Sequence, residues 1–295
     1  MGEYGIGQSV PREEDPYLVR GAGRYVDDVS AVGQLRAFVL RSPHAHARIV
    51  SVDTAAARAM PGVHLVLTGD DPELCALGAP RPQVLRKRRD GSPAKPYAQP
   101  LLARERVRYI GDPVALVVAE TLHQAKDAAE AIAIDFEPLP VLISPEDAAA
   151  PGAPALWEDN PGNEAFFHTV GNKAAVEEAF ARAAHVVRTR LDLKRMTTNS
   201  IEPRGALAEY DPREDRYTVR CTVQGPHAMR RILAQEIFKV PEIRVRVISE
   251  NVGGGFGMKG NLYPEYPLCA LAARLTGRPV KWISERSEAR LADAH

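Results

Sequence analysis

The chain has 295 residues, 45% hydrophobic and 26% charged, the profile of a globular protein with room for two domains. Lysine plus arginine number 38, as do aspartate plus glutamate, so no net field argues for nucleic acid or an acidic membrane surface. No apolar run approaches a membrane span, Met1-Gly2-Glu3-Tyr4-Gly5 has no signal-peptide pattern, and the scattered Cys75, Cys221 and Cys269 form neither a disulfide framework nor a metal-ligand spacing.

The expectation from that profile is a cytoplasmic protein. Residues 1–20 are polar and read as an extended arm. Gly21-Ala22-Gly23-Arg24-Tyr25-Val26-Asp27-Asp28 makes a turn-rich entry into a strand over 35–42, whose side chains alternate as a strand requires. Further strands are expected over 49–52 and 63–67, with a short helix over 54–60 closed by Pro61-Gly62. Residues 78–99, rich in proline, arginine and lysine, read as a long surface loop. After Val107-Arg108-Tyr109-Ile110-Gly111-Asp112-Pro113 come a strand over 114–119, a helix capped by Thr121 and running to 131, and a strand over 132–136. Pro138, Pro140, Pro151 and Pro154 then mark a proline-rich connection over 143–170. It separates a domain over 21–142 from one over 171–295. Strands and helices mix without regular βαβ alternation, so the class is α+β.

The second half opens on an amphipathic helix over 172–180. Strands over 186–193, 206–210 and 217–223 follow, the last two joined by the polar turn at 211–215. Gln224-Gly225-Pro226-His227 leads into a helix over 229–238, and 243–248 reads as a strand. Then comes Ser249-Glu250-Asn251-Val252-Gly253-Gly254-Gly255-Phe256-Gly257-Met258-Lys259-Gly260, ahead of a helix over 266–275 and a strand-like run over 280–284. There is no internal repeat and no low-complexity segment.

Five glycines in the eight positions 253–260 free the backbone for left-handed angles and for close approach to another molecule. The helix start behind them adds N–H groups that suit an anion. Gly255 to Gly260 also fits the G-x-G-x-x-G dinucleotide pattern, with Glu285 after the next strand-like run. Against it, the preceding strand carries Arg244 and Arg246, where a central parallel strand is nearly all apolar. No Walker Gly-Lys-Ser/Thr occurs, and a purely structural turn stays open as a reading. Gln224 sits at a strand end, where sites gather, although a lone glutamine there also serves as a turn hydrogen-bonder. His227 reads as a helix-start residue, His44 and His46 as surface residues, and Asp112 as a turn former. No Ser-His-Asp or Cys-His arrangement has supporting context.

Together, Thr222-Val223-Gln224-Gly225-Pro226-His227 and Gly253-Gly254-Gly255-Phe256-Gly257-Met258-Lys259 resemble the molybdenum-binding large subunit of the xanthine dehydrogenase, aldehyde oxidase and carbon monoxide dehydrogenase family. Gly23-Arg24-Tyr25-Val26-Asp27-Asp28, Arg41-Ser42-Pro43-His44-Ala45 and Tyr109-Ile110-Gly111-Asp112-Pro113-Val114-Ala115 resemble its a/b hammerhead domain. Glu202-Pro203-Arg204-Gly205 resembles the start of its first cofactor-binding domain. The likeness runs in the family's order over essentially the whole chain.

The resemblance implies a hammerhead domain followed by the first part of a molybdopterin-binding domain. It implies that Gln224 hydrogen-bonds an oxygen ligand of a molybdenum-molybdopterin cofactor, in its cytosine dinucleotide form. It also implies that the backbone of Phe256 and Gly257 lies beside that centre, with Gly254 and Gly255 allowing the approach. The family's reaction is hydroxylation at carbon, with oxygen from water and electrons passed to an iron-sulfur small subunit and an FAD-carrying medium subunit. The substrate is then an aldehyde, a heteroaromatic or a similar small molecule. Xanthine-oxidising members carry a substrate-binding glutamate where this chain has Gly260, which argues against purines. The glutamate base of the family matches nothing here, so no catalytic residue and no protein metal ligand is assigned. The lead expectation is the N-terminal part of a molybdenum hydroxylase large subunit, completed by a C-terminal half as partner. A non-catalytic remnant or scaffold of the same fold and a nucleotide-binding oxidoreductase are the alternatives.

Overall fold

In the computed structural model of the chain, residues 5, 7, 9–82, 86–94 and 97–294 are described. The start at residues 1–4, Ile6 and Gln8 of the arm, residues 83–85 and 95–96 of the long loop, and His295 lie outside them. Ten strands occur among the described residues: β1 Leu35–Arg41, β2 Ala47–Asp53, β3 Val63–Thr68, β4 Arg106–Val107, β5 Pro113–Ala119, β6 Ala133–Pro138, β7 Gly205–Asp211, β8 Arg216–Cys221, β9 Val245–Ile248 and β10 Val280–Ile283. The helices are α1 Asp15–Leu18, α2 Ala55–Arg58, α3 Pro72–Cys75, α4 Leu122–Glu130, α5 Pro145–Ala149, α6 Lys173–Arg182, α7 Pro226–Ile232, α8 Glu265–Thr276 and α9 Arg286–Ala292. The α+β reading stands.

A seven-stranded sheet runs β3-β5-β1-β10-β7-β8-β9, and a three-stranded sheet runs β4-β2-β6. The larger sheet takes strands from both sides of the proline-rich stretch, through the parallel pairing of Leu35 with Val280 and Arg36 with Lys281. Every residue of β5 is buried, as suits a continuous apolar run flanked by β3 and β1. Across its face lies α4, whose Thr121 hydroxyl accepts the Gln124 N–H at 3.2 Å while Gln124 Oε1 accepts the Thr121 N–H at 3.0 Å. This reciprocal cap closes two backbone donors that would otherwise be unpaired. On the other half of the sheet α8 buries its residues 265–273 against β7, β8 and β10, and ends at Gly277 in a left-handed turn (φ 66°).

Three expectations change. The helix read over 229–238 begins at Pro226 and passes at Leu233 into a π-helical turn ending at Phe238. The strand read over 186–193 does not form; residues 181–199 are all exposed, and no regular element lies between α6 and β7. The alternating pattern is present, but a strand requires a neighbour to take its backbone hydrogen bonds, and no described residue supplies one. His46, read as a surface residue, is buried; its Nδ1–H donates to the Pro140 carbonyl at 2.7 Å. Asp112 does form the turn expected of it, accepting the Arg108 N–H at 3.0 Å.

A buried ion cluster joins the two halves of the chain. Arg204, fully buried, donates from Nη1 to Glu265 Oε2 at 2.8 Å and from Nε to Asp293 Oδ1 at 2.5 Å. Arg41 of β1 donates to Glu265 Oε1 at 2.5 Å and to Glu288 Oε1 at 2.6 Å. The Arg204 guanidinium also lies 3.7 Å from the ring centre of Tyr263. Burial acts to raise the pKa of Glu265, but the charges and hydrogen bonds of Arg204 and Arg41 outweigh it and hold the carboxyl at about 2.

Glu265→Gln leaves two buried guanidinium groups short of charge, which costs about 3–5 kcal/mol and appears as a lower urea midpoint. Because the folded pKa of Glu265 is depressed, its contribution is present above its ordinary pKa and is lost as pH falls toward about 2. The difference between wild type and variant therefore shrinks in acid; a difference constant with pH contradicts this. Asp112 behaves oppositely: burial pushes its carboxyl up to about 6, partly offset by the Arg108 N–H. Stability present below its ordinary pKa is lost as pH rises through about 6, and Asp112→Asn removes that loss. Thermal melts from pH 4 to 8 check it, the variant matching or exceeding wild type at the upper end.

Candidate functional site

The glycine loop leaves β9 and crosses the end of β8, where Gln224 stands. β9 is the edge strand of the large sheet, parallel to β8, with Arg246 exposed. Its position at the edge accounts for Arg246, Arg244 lying in a 3-10 turn just before the strand, and removes the dinucleotide reading, which needs the glycines behind a central strand. Gln224 is brought directly over the loop. Its N–H donates to the Lys259 carbonyl at 3.1 Å, and a Cβ at Gly255 would meet its Cδ at 2.5 Å. A Cβ at Gly254 would meet the Phe256 ring at 2.7 Å and Ser200 Cβ at 3.1 Å. Gly254 is set by its angle, φ 99°, and Gly255 leaves the space in which the Gln224 side chain sits.

Phe256 takes a left-handed conformation, φ 52°, and leaves its ring 71% exposed. A large side chain held there is strained and unpacked, a combination that collects at ligand-binding sites. Gly257 follows at φ 85°, and a Cβ there would meet nothing within 4 Å. Among the described residues no protein acceptor takes the N–H groups of Gly254, Gly255, Phe256 or Gly257. The site thus offers backbone donors and an exposed glutamine amide around an open rim, the donor set an anionic, oxygen-rich group needs.

Sequence reasoning missed what holds the loop in shape. Lys259 is fully buried, donating to the Glu202 carbonyl at 2.7 Å and to Glu202 Oε2 at 3.1 Å. The same Oε2 accepts the Gly253 N–H at 2.7 Å, and the Glu202 N–H donates to the Gly253 carbonyl at 3.1 Å. Burial lowers the Lys259 pKa, opposed by the Glu202 carboxylate. Glu202-Pro203-Arg204-Gly205 was visible as a motif, and the available signal was two opposite charges flanking otherwise small or apolar positions. The helix behind the loop also differs from expectation. A 3-10 turn over Met258–Gly260 and residues 261–264 intervene, and the first turn of α8 is taken by Glu265 with its two arginines. The helix start is thus separated in sequence from the glycines, and the free donors beside Gln224 are those of the loop's own backbone. His227 lies in the first turn of α7 as expected, and no group of three potential metal-ligating side chains occurs among the described residues.

Over residues 20–140 the sequence matches the aldehyde oxidase and xanthine dehydrogenase a/b hammerhead domain, and over residues 156–295 the molybdopterin cofactor-binding domain. The chain belongs to the aldehyde oxidase and xanthine dehydrogenase family. It is 38% identical over 293 residues to the nicotine 6-hydroxylase large subunit of Paenarthrobacter nicotinovorans, a match covering 98% of this chain and 34% of that one. With the carbon monoxide dehydrogenase large chain of Hydrogenophaga pseudoflava it shares 35% identity over 296 residues, 94% of this chain and 34% of the relative. The solved structure of quinoline 2-oxidoreductase from Pseudomonas putida 86 is similar with a TM-score of 0.84 at 37% identity, covering 96% of this chain and 35% of that one. The chain spans about a third of the length of these family members. Gln224 and the glycine loop fall inside the region that matches the molybdopterin cofactor-binding domain. Their unpaired backbone donors and the exposed Gln224 amide fit such a group.

Lys259→Met removes the cation from a largely buried carboxylate, which costs about 3 kcal/mol and lowers the thermal midpoint. An unchanged midpoint means the pair does not hold the loop.

Proposed function

We propose that this chain is the cofactor-presenting portion of a molybdenum-dependent hydroxylase large subunit, completed by further polypeptide. The observation that carries the reading is the seating of the Gln224 amide over a glycine loop whose backbone donors are unpaired. Gln224 is assigned to hydrogen-bond an oxygen ligand of the molybdenum centre. Phe256 and Gly257 are assigned to line it, with Gly254 and Gly255 keeping the approach clear. When bound, the molybdenum-molybdopterin group supplies hydroxylation at a substrate carbon with oxygen from water. The chain's own part is positional. Lys259 and Glu202 fix the loop, the loop holds the donors in place before the group arrives, and pre-set donors stabilise developing negative charge without reorganisation.

The family resemblance extends the proposal to the cytosine dinucleotide form of the pterin. It also extends to iron-sulfur and FAD-carrying partner subunits as electron acceptors, and to residence in the cytoplasm. A relative at 36% identity is named as subunit gamma of a 6-hydroxypseudooxynicotine dehydrogenase complex, which supports a multi-subunit setting. No helix among the described residues is long and apolar enough to cross a membrane. The small-molecule substrate is placed among aldehydes and heteroaromatics. The domain division proposed is a hammerhead over 21–142 and the first part of the cofactor-binding domain over 171–295, joined by the connection at 143–170.

Gln224→Ala and Phe256→Ala, introduced into the assembly isolated from its native host, should each lower turnover at least tenfold while moving the melting temperature by no more than a few degrees. Both side chains are exposed, so folding does not depend on them. Unchanged turnover with full molybdenum content contradicts the assignment.

A further inference from the structure

Residues 184–199 carry a pattern that the fold leaves unused. Val187, Thr189, Leu191 and Leu193 alternate with Arg188, Arg190, Asp192 and Lys194, one apolar row and one charged row with the period of a β-strand. The apolar row is turned out: Val187 is 87%, Leu191 79% and Leu193 90% exposed. The charged row is at least partly engaged with this chain, Arg190 reaching Glu146 Oε1 at 2.5 Å. Among the described residues, no backbone group of 184–195 makes a hydrogen bond to another backbone group. Val176 and Phe180, four residues apart on one face of α6 just upstream, are exposed as well. At the downstream end the segment runs into Ser200 and Glu202 beside the glycine loop, and the buried Glu202 Oε1 has no hydrogen-bond partner among the described residues.

We infer that residues 186–193 form a β-strand that adds to an exposed sheet edge in the polypeptide making up the remaining two-thirds of the relatives' length, with Val187, Leu191 and Leu193 buried against it. The unpaired backbone supplies the hydrogen bonds and the alternating row the side-chain contacts of strand addition. A length deficit of about two-thirds against every relative described above identifies the occupant. A second copy of the chain is a poor alternative, because self-pairing over this stretch sets basic residues among Arg188, Arg190 and Lys194 opposite one another. Strand formation here brings the partner to Glu202, so completion of the fold and completion of the cofactor site become one event. The inference rests on the proposal that further polypeptide completes this chain, but not on the cofactor being bound.

Hydrogen exchange tests it, comparing this chain alone with the assembly purified from the native host. In the isolated chain the amides of 186–193 exchange at the rate of an unstructured peptide; in the assembly they are slowed at least a hundredfold. Leu191→Asp together with Leu193→Asp abolishes that protection and reduces the co-purified polypeptide at least tenfold, while the melting temperature of the isolated chain stays unchanged. Further polypeptide recovered with 186–193 still unprotected overturns the strand assignment and leaves the proposed function standing. No further polypeptide in the native preparation overturns both. Protection that appears in the isolated chain with rising concentration identifies a second copy and overturns the choice of partner.

Discussion

A carboxylate buried at the start of α8 organises this molecule. Glu265 is enclosed by Arg204 and Arg41, and each of the three would be costly to bury without the others. Satisfying them brings together β1, the start of β7, α8 and, through Glu288 and Asp293, the end of the described chain. The pairing of β1 with β10 agrees with the same constraint, since Arg41 of β1 binds Glu265 of α8 and Glu288 of α9, the helices on either side of β10. Two residues before Arg204, Glu202 is thereby delivered to the glycine loop. Charge neutralisation in the core and the shape of the site are linked through two consecutive peptide bonds.

The loop's form then follows from short-range rules. Lys259 and Glu202 close its two ends like a clasp, and Gly253 to Gly255 are small because Glu202, Phe256 and Gln224 occupy the space a Cβ would take. What stays outside the clasp is a strained Phe256, an open Gly257 and a row of unpaired N–H groups. Strain and unpaired donors oppose folding and persist only because the clasp over-determines the backbone. That arrangement suits an anionic, oxygen-rich group, which backbone donors can surround without the bulk of charged side chains.

Much of this was legible in the sequence because it depends on local chemistry. The apolar run of β5, the Thr121 cap and the Gly277 stop carry their structure in neighbouring residues. So does the sequence of Gln224, turn, helix, edge strand and glycines. The ion cluster was not legible, since Arg41, Arg204 and Glu265 are far apart in the chain and each looks like an ordinary surface charge in its own window. His46 was misjudged for a similar reason: its burial is created by residues almost a hundred positions away. The failed strand over 186–193 is a different kind of miss. Its pattern was read correctly, but a pattern specifies a strand only where an edge exists to receive it. The helix behind the loop misled in the opposite sense, because a 3-10 turn and residues 261–264 separate it from the glycines and its first turn carries the acidic Glu265.

The central claim is that Gln224 and the glycine loop serve a molybdenum cofactor in a completed subunit. The most direct measurement is the molybdenum content, with the X-ray absorption spectrum at the molybdenum edge, of the assembly containing this chain isolated from its native host. The account predicts stoichiometric molybdenum whose spectrum changes when Gln224 is replaced by alanine. A stable preparation free of molybdenum, or a spectrum indifferent to that substitution, would contradict it.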